Sequence, residues 1–146
     1  MISSLDMNKI GFVDRYSYTG TRYYTSFCAI PDGLNFIDQV GGLERIKEYN
    51  KHLSQTIAKR LACVWNTSLL VTENMTCNAM SNVILPSRDL KKIRHMQQSL
   101  DHNHNIYINC GTLDGTDIHY VRISSQIYLE LDDFKPLETL VPELLK

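Results

Sequence analysis

The chain has 146 residues, 43% hydrophobic and 21% charged, which is enough to bury one core of ordinary size. Its net charge is −1 and no lysine and arginine cluster lies beside an aromatic run, so we expect no nucleic-acid partner. No apolar window is long enough to cross a bilayer, and the N-terminus lacks the features of a signal peptide, so we expect a cytoplasmic protein without a membrane partner.

Two helices are predicted in the first half of the chain. Between residues 26 and 39, apolar residues recur at spacings of three and four, which is typical of a helix with one buried face. Gly41 and Gly42 predict the end of this helix and the start of another. The apolar stripe of the second helix runs from Leu43 to Val64.

Short strands and one more helix are predicted next. Residues 69–72 and 80–85 read as strands. Ser87 is a plausible N-cap for a helix that extends to Leu100, because Ser side chains accept hydrogen bonds from the first free N–H groups. The polar residues 101–105 then predict a turn.

The last third predicts a hairpin and a final helix. Residues 106–109 and 119–124 read as strands, joined by the turn-forming sequence GTLDGTD. Asp132 and Asp133 favour the start of a helix. The predicted fold class is therefore α+β, with a short, mostly antiparallel sheet that helices cover on one side.

Histidines and cysteines give weak signals of chemistry. His102, His104 and His119 could hold a metal, but a polar turn is the better interpretation of the first two, since no further ligand follows at a suitable spacing. The cysteines are widely spread without a CxxC pair, which predicts buried free thiols rather than a disulfide framework: Cys28, Cys63, Cys77 and Cys110.

Arg122 lies on the strand predicted at 119–124. Alternation along this strand puts Val121 and Ile123 on the core side and Arg122 on the opposite side, together with Tyr120 and Ser124. Two interpretations stay open from the residues alone. Arg122 either pairs with a surface acid or binds the carboxylate of a ligand through two parallel hydrogen bonds.

The tripeptide Thr19, Gly20, Thr21 also has two interpretations. It is either an ordinary turn or a phosphate contact, in which glycine permits a close approach and the hydroxyls and N–H groups donate. The wider order of TGTR, IPDGLNF, a glycine pair and LERIKEYNKHL, with VRISSQIY at 121–128, resembles class V aminotransferase-type enzymes that depend on pyridoxal phosphate. The resemblance is greatest to the isopenicillin N epimerase-like branch.

The resemblance implies a fold-type-I enzyme with two domains. Residues 1–40 would be the C-terminal edge of the large cofactor-binding domain, including its last helix, and 41–146 the small C-terminal domain. Gly20, Thr21 and Arg22 would contact the cofactor phosphate held by a partner subunit, which implies a homodimer. Tyr23 departs from the branch, where an Asp usually follows the arginine.

The resemblance also implies a substrate class. Arg122 would hold the α-carboxylate of an amino acid, and the reaction would be epimerisation, carbon–sulfur lysis or transamination. None of the eight lysines has the sequence context of the family's cofactor-binding lysine, so we expect a C-terminal fragment that is not catalytically complete. Pyridoxal 5'-phosphate would be bound mainly by the missing N-terminal part or the partner subunit. The alternatives are a non-catalytic α+β domain for dimerisation or small-ligand binding and a histidine-based metal hydrolase.

Overall fold

A computed structural model describes residues 11–13, 20, 23–72, 75 and 79–146 of the chain. These residues divide into two compact units, Met1–Gln39 and Val40–Lys146. In the first unit, α1 is Thr25–Cys28 and α2 is Ile30–Gln39. The second unit contains three α-helices, three strands and one 3₁₀ helix in its described residues: α3 Gly42–Val64, β1 Met80–Ile84, α4 Leu90–His104, β2 Asn109–Thr112, β3 His119–Ser124, the 3₁₀ helix Leu131–Phe134 and α5 Lys135–Leu144.

The helix predicted at 26–39 is present but divided. Ala29 separates α1 from α2, and Pro31 is the second residue of α2, where its missing N–H is tolerated. The predicted buried face is wrong for the chain as it stands, because neither helix buries a side chain. The large apolar residues of these helices are each more than half exposed: Phe27, Ile30, Leu34 and Phe36.

The glycine pair separates α2 from α3, as predicted. Gly41 and Gly42 have φ values of +103° and +86°, which favour glycine, and a Cβ on Gly41 would lie 2.7 Å from the Cδ atom of Arg45. The apolar stripe of α3 is buried at its centre, including Leu53, Ile57 and Leu61, whereas both ends of the helix are exposed.

The sheet is antiparallel with strand order β1-β3-β2. The separate strand predicted at 69–72 is wrong, because only a single bridge forms, between Leu69 and Val83. Two main-chain bonds accompany the bridge: the Leu70 N–H donates to the Asn82 carbonyl at 2.9 Å and the Ile84 N–H to the Ser68 carbonyl at 3.0 Å. This short segment therefore covers part of the outer edge of β1.

Asp89, and not Ser87, is the N-cap of α4. The Asp89 carboxylate accepts from the N–H groups of Lys91 at 2.8 Å and Lys92 at 3.4 Å, while the Ser87 hydroxyl accepts from the Asp89 N–H. The polar turn predicted at 101–105 is also wrong, since α4 continues to His104 and ends where Asn105 has a φ of +55°.

Loss of this cap gives a testable change in stability. Asp89→Ala is expected to lower the free energy of unfolding by about 1 kcal/mol, because two N–H groups lose their acceptor. Ser87→Ala, the control, should have a smaller effect. Urea unfolding followed by circular dichroism measures both, and equal losses in the two variants would contradict Asp89 as the cap.

The core of the second unit lies between the sheet and three helices. It contains residues from α3, β1, β3, α4 and α5, and Cys110 of β2 packs against it. The largest fully buried side chains include Ile57, Leu61, Ile93, Met96 and Leu100. The predicted α+β fold with a small antiparallel sheet is confirmed. Among the described residues, no helix is both long enough and apolar enough to cross a membrane.

Candidate functional site

The two faces of β3 differ in burial. Val121 and Ile123 are buried, whereas Arg122 and Ser124 are exposed, so the predicted alternation is confirmed. His119 is also buried, on the core side with Val121. Arg122 therefore projects from the face of the sheet opposite to the hydrophobic core.

Two asparagines lie beside Arg122 across the sheet. The register pairs Arg122 with Asn82 of β1 and with Asn109 of β2. The Oδ1 atom of Asn82 is buried and has no hydrogen-bond partner in the described structure. A row of side chains that can hydrogen-bond thus crosses all three strands, with the only cation of the row at its centre.

Arg122 differs from the paired arginines of this unit. Arg60 forms an ion pair with Glu138 at 2.7 Å, and Arg88 pairs with Asp117. Within the part of the chain that the structure describes, no carboxylate lies within ion-pair distance of the Arg122 guanidinium. Of the two interpretations that the sequence left open, pairing with a surface acid is therefore not observed.

A groove of about 290 Å³ opens beside Arg122. Asn109 and Asp133 contribute polar groups, and apolar side chains supply most of the remaining lining: Ile106, Tyr107, Ile108, Ile123, Leu129, Phe134 and Leu137. We call this the Arg122 groove. Asp133 is held at the start of the 3₁₀ helix, where its Oδ2 atom accepts from the Glu130 N–H at 2.7 Å.

Both walls of the Arg122 groove are anchored to helices. The Tyr49 hydroxyl of α3 donates to the Leu129 carbonyl at 2.7 Å. On the other side, the Gln97 side chain of α4 donates to the Ile108 carbonyl at 2.8 Å. Each bond thus joins one wall of the groove to a helix of the second unit.

The groove lies beside the start of β2, where the antiparallel strand β3 continues past Arg122 without a partner on that side in the described structure. The Leu113 N–H donates to the Ile118 carbonyl, and because bonded pairs alternate in an antiparallel ladder, Asn109 and Arg122 form a bonded pair. The next such pair would join residue 107 to Ser124, but β2 begins at Asn109. The main-chain N–H and C=O of Ser124 therefore point toward the opening.

The three residues predicted to contact a cofactor phosphate lie in the first unit. Gly20 is exposed and has a φ of +73°, and among the described residues no atom lies within 4 Å of a Cβ added to it. Thr21 and Arg22 lie outside the described residues. The phosphate contact of Gly20, Thr21 and Arg22 therefore stays a prediction.

The histidines do not form a metal centre in the described structure. His119 is buried, its Nδ1 atom is 2.8 Å from the Thr112 hydroxyl, and its Nε2 atom is 3.3 Å from the Arg88 carbonyl. His102 instead contacts the Gln98 carbonyl of its own helix through Nδ1 at 2.8 Å. No group of three potential metal ligands occurs among the described residues.

The cysteines differ in exposure, and the predicted burial is wrong for two of them. Cys28 and Cys63 are exposed, Cys110 is partly buried, and Cys77 lies outside the described residues. Burial raises the pKa of the Cys110 thiol to about 11, because the thiolate would lose hydration. Cys110 therefore stays protonated and unreactive at neutral pH.

Thiol labelling tests this difference in reactivity. At pH 8, a variant that retains only Cys63 is expected to react with a disulfide reagent at least tenfold faster than a variant that retains only Cys110. The raised pKa of Cys110 also stabilises the fold below the thiol's unfolded pKa, a contribution lost as the pH rises toward 11. As the control, the two variants should react at equal rates in urea, where both thiols are exposed. Equal rates for the two variants in the native protein would contradict the burial of Cys110.

The sequence predicted Arg122 as a candidate site residue but gave no prediction for the residues that lie around it. Asn82, Asn109 and Asp133 come from three separate elements, and their sequence neighbours give no sign of a site. The predicted hairpin could have indicated Asn109, because the register of a hairpin determines which residue lies opposite Arg122. Asp133 was predicted only as a helix start, a position that its hydrogen bond to Glu130 confirms.

Comparison with known proteins finds similarity to plant enzymes, although no protein-family model matches the chain. The chain is 28% identical over 148 residues to an L-cysteine desulfhydrase of Arabidopsis thaliana, covering 89% of this chain and 32% of the relative. It is 27% identical over 147 residues to a candidate L-cysteine desulfhydrase of Oryza sativa subsp. japonica, covering 88% of this chain and 30% of the relative.

A candidate chloroplastic L-cysteine desulfhydrase of Arabidopsis thaliana is 28% identical over 148 residues, which cover 93% of this chain and 31% of that relative. The chain thus spans less than a third of the length of the curated relatives that it matches. Most of this chain is similar to a segment of proteins named as L-cysteine desulfhydrases.

Proposed function

We propose that this chain is the C-terminal part of a pyridoxal-phosphate-dependent carbon–sulfur lyase that acts on cysteine or a cysteine-derived amino acid. The single observation that carries the proposal is the unpaired Arg122 guanidinium on the open face of the sheet, beside the Arg122 groove. Similarity to proteins named L-cysteine desulfhydrases supports carbon–sulfur lysis over epimerisation and transamination. The class V aminotransferase-like assignment is part of the same proposal.

Arg122 binds and orients the substrate in this proposal. Its planar guanidinium donates two parallel hydrogen bonds to the α-carboxylate, which holds the amino acid at a fixed angle. The Ser124 N–H offers another donor at the same opening. Asn82 and Asn109 lie opposite Arg122 on the two neighbouring strands.

The residues of this chain fit only part of a pyridoxal phosphate site. When bound, this cofactor supplies the electron sink that lets the carbon–sulfur bond of the substrate break. Gly20 offers an open backbone to its phosphate, and Thr21 and Arg22 follow in sequence. A cofactor-binding lysine would lie within the site, yet no lysine of the described residues is buried, so we propose that the reactive amine lies elsewhere in the enzyme.

The first unit supports an assembly larger than this chain. Its two helices expose Phe27, Ile30, Leu34 and Phe36, a surface that a further part of the enzyme would cover. We propose that residues 1–40 complete the large domain, that 41–146 form the small domain, and that the enzyme is a homodimer. The alternative function is a non-catalytic domain for dimerisation or small-ligand binding, which the lack of a buried lysine among the described residues favours.

A chimeric enzyme tests the proposal. This chain replaces the matching segment of the Arabidopsis L-cysteine desulfhydrase, and two quantities are measured: the visible absorbance of the bound cofactor and the release of sulfide from L-cysteine. The matched control carries the corresponding segment of the rice relative. We expect both chimeras to bind the cofactor and to release sulfide.

Sulfide release from the rice chimera only, with equal cofactor absorbance in both, would contradict the lyase proposal and favour the non-catalytic alternative. Loss of cofactor absorbance in this chain's chimera alone would contradict the assignment of Gly20 and its neighbours to the cofactor phosphate. Sulfide release therefore tests the proposed role of Arg122, and cofactor absorbance tests the proposed role of Gly20 and its neighbours.

A further inference from the structure

We propose that the Arg122 groove receives the substrate's side chain and selects α-amino acids whose side chains are uncharged and apolar, such as S-alkyl cysteines. This inference rests on the proposed role of Arg122 as the carboxylate-binding residue. It adds a substrate class that the names of the relatives do not state. The argument depends on the size, lining and charge of the groove.

The groove has more room than a thiol side chain needs. Its volume is about 290 Å³, whereas one water-sized group occupies about 30 Å³. Its floor is apolar, with Ile108, Phe134 and Leu137 each no more than 9% exposed. Tyr107 also lines the groove and is 80% exposed. An alkyl group on sulfur would therefore bury apolar surface here.

Asp133 gives the groove a charge preference. Asp133 is one of the lining residues, and the hydrogen bond from the Glu130 N–H holds its carboxylate in position. Lys135 forms its ion pair with Asp132 at 2.8 Å, and Arg122, which also lines the groove, is taken up by the α-carboxylate of the substrate in this proposal. A substrate with an acidic side chain would bring a second carboxylate close to Asp133, which opposes binding.

Two ligands of nearly equal shape isolate this effect. S-carboxymethyl-L-cysteine and S-carbamoylmethyl-L-cysteine differ in one charged group, and both carry the α-carboxylate for Arg122. Binding to the 146-residue chain is measured by NMR titration of the Arg122 Nε–Hε signal. We expect the carbamoylmethyl ligand to bind about threefold or more tightly than the carboxymethyl ligand. S-propyl-L-cysteine should bind about fourfold or more tightly than L-cysteine.

Asp133→Asn is expected to bring the two dissociation constants together, since the amide keeps an acceptor for the Glu130 N–H but has no charge. Asp114→Asn is the matched control and should leave the difference unchanged, because Asp114 lies in the turn between β2 and β3 and does not line the groove. The inference is overturned if the wild-type chain binds the carboxymethyl and carbamoylmethyl ligands equally tightly, or if S-propyl-L-cysteine binds no more tightly than L-cysteine. In either case, a shift of the Arg122 signal on ligand addition would still support the proposed function. If no amino acid shifts the Arg122 signal, both are overturned.

Discussion

Arg122→Gln is expected to raise the KM for L-cysteine about ten- to hundredfold in the chimeric enzyme. A charged hydrogen-bonded contact contributes about 1.5 to 3 kcal/mol, and glutamine cannot replace two parallel bonds from a cation. The cofactor absorbance should stay unchanged, because Arg122 is proposed to contact the substrate and not the cofactor. Steady-state sulfide release and the absorbance spectrum measure the two effects.

Two further variants test whether substrate binding needs the planar guanidinium of Arg122 in particular. Arg122→Lys keeps the charge but loses the planar fork, so its KM should lie between those of the wild type and Arg122→Gln. Arg94→Gln removes an exposed arginine from α4, outside the groove lining, and should leave the KM unchanged. If the Gln and Lys variants have the wild-type KM, Arg122 is not the carboxylate-binding residue.

Leu100→Ala is expected to lower the free energy of unfolding by about 2 to 5 kcal/mol. Leu100 is 0% exposed and belongs to the core that α4 forms with the sheet and α5. Removal of its side chain loses the burial of three carbon atoms and leaves a cavity that its neighbours fill only in part. Urea unfolding, followed by circular dichroism, measures the loss.

The same helix provides a matched control for this change. Leu90 is 40% exposed at the start of α4, so Leu90→Ala removes the same atoms from a largely hydrated position. Its effect should be under about 1 kcal/mol. Equal destabilisation by the two substitutions would contradict the position of Leu100 in the core.

The part of the site that could be predicted is the part that local periodicity determines. Alternation along 119–124 separates Val121 and Ile123 from Arg122, and the structure confirms it. The glycine pair at 41 and 42 likewise predicts a helix boundary through local backbone freedom alone. Local pattern therefore identified the face that carries the arginine.

The neighbours of Arg122 depend on tertiary contacts. Asn109 comes to lie beside Arg122 only through the hairpin register, and Asp133 reaches the groove through the packing of the 3₁₀ helix. The choice of Asp89 over Ser87 as N-cap reflects two competing polar side chains, separated by one residue. Sequence alone does not show which of two such competitors meets the free N–H groups.

The buried face predicted for residues 26–39 has a different explanation. Periodicity indicates that a face is apolar, but it does not indicate which molecule covers that face. Phe27 and Phe36 are exposed here, and the chain spans less than a third of its relatives' length. The prediction was correct in identifying a helical region and wrong about burial within this chain.

The most direct test of the central claim compares L-cysteine with cysteamine, which lacks only the carboxylate. The Arg122 Nε–Hε signal of the 146-residue chain is followed by NMR during titration with each compound. We predict a saturable shift with L-cysteine, with a dissociation constant of roughly 1 to 100 mM, and no shift with cysteamine. Equal responses to the two compounds, or none to L-cysteine, would contradict the binding of an amino-acid carboxylate by Arg122.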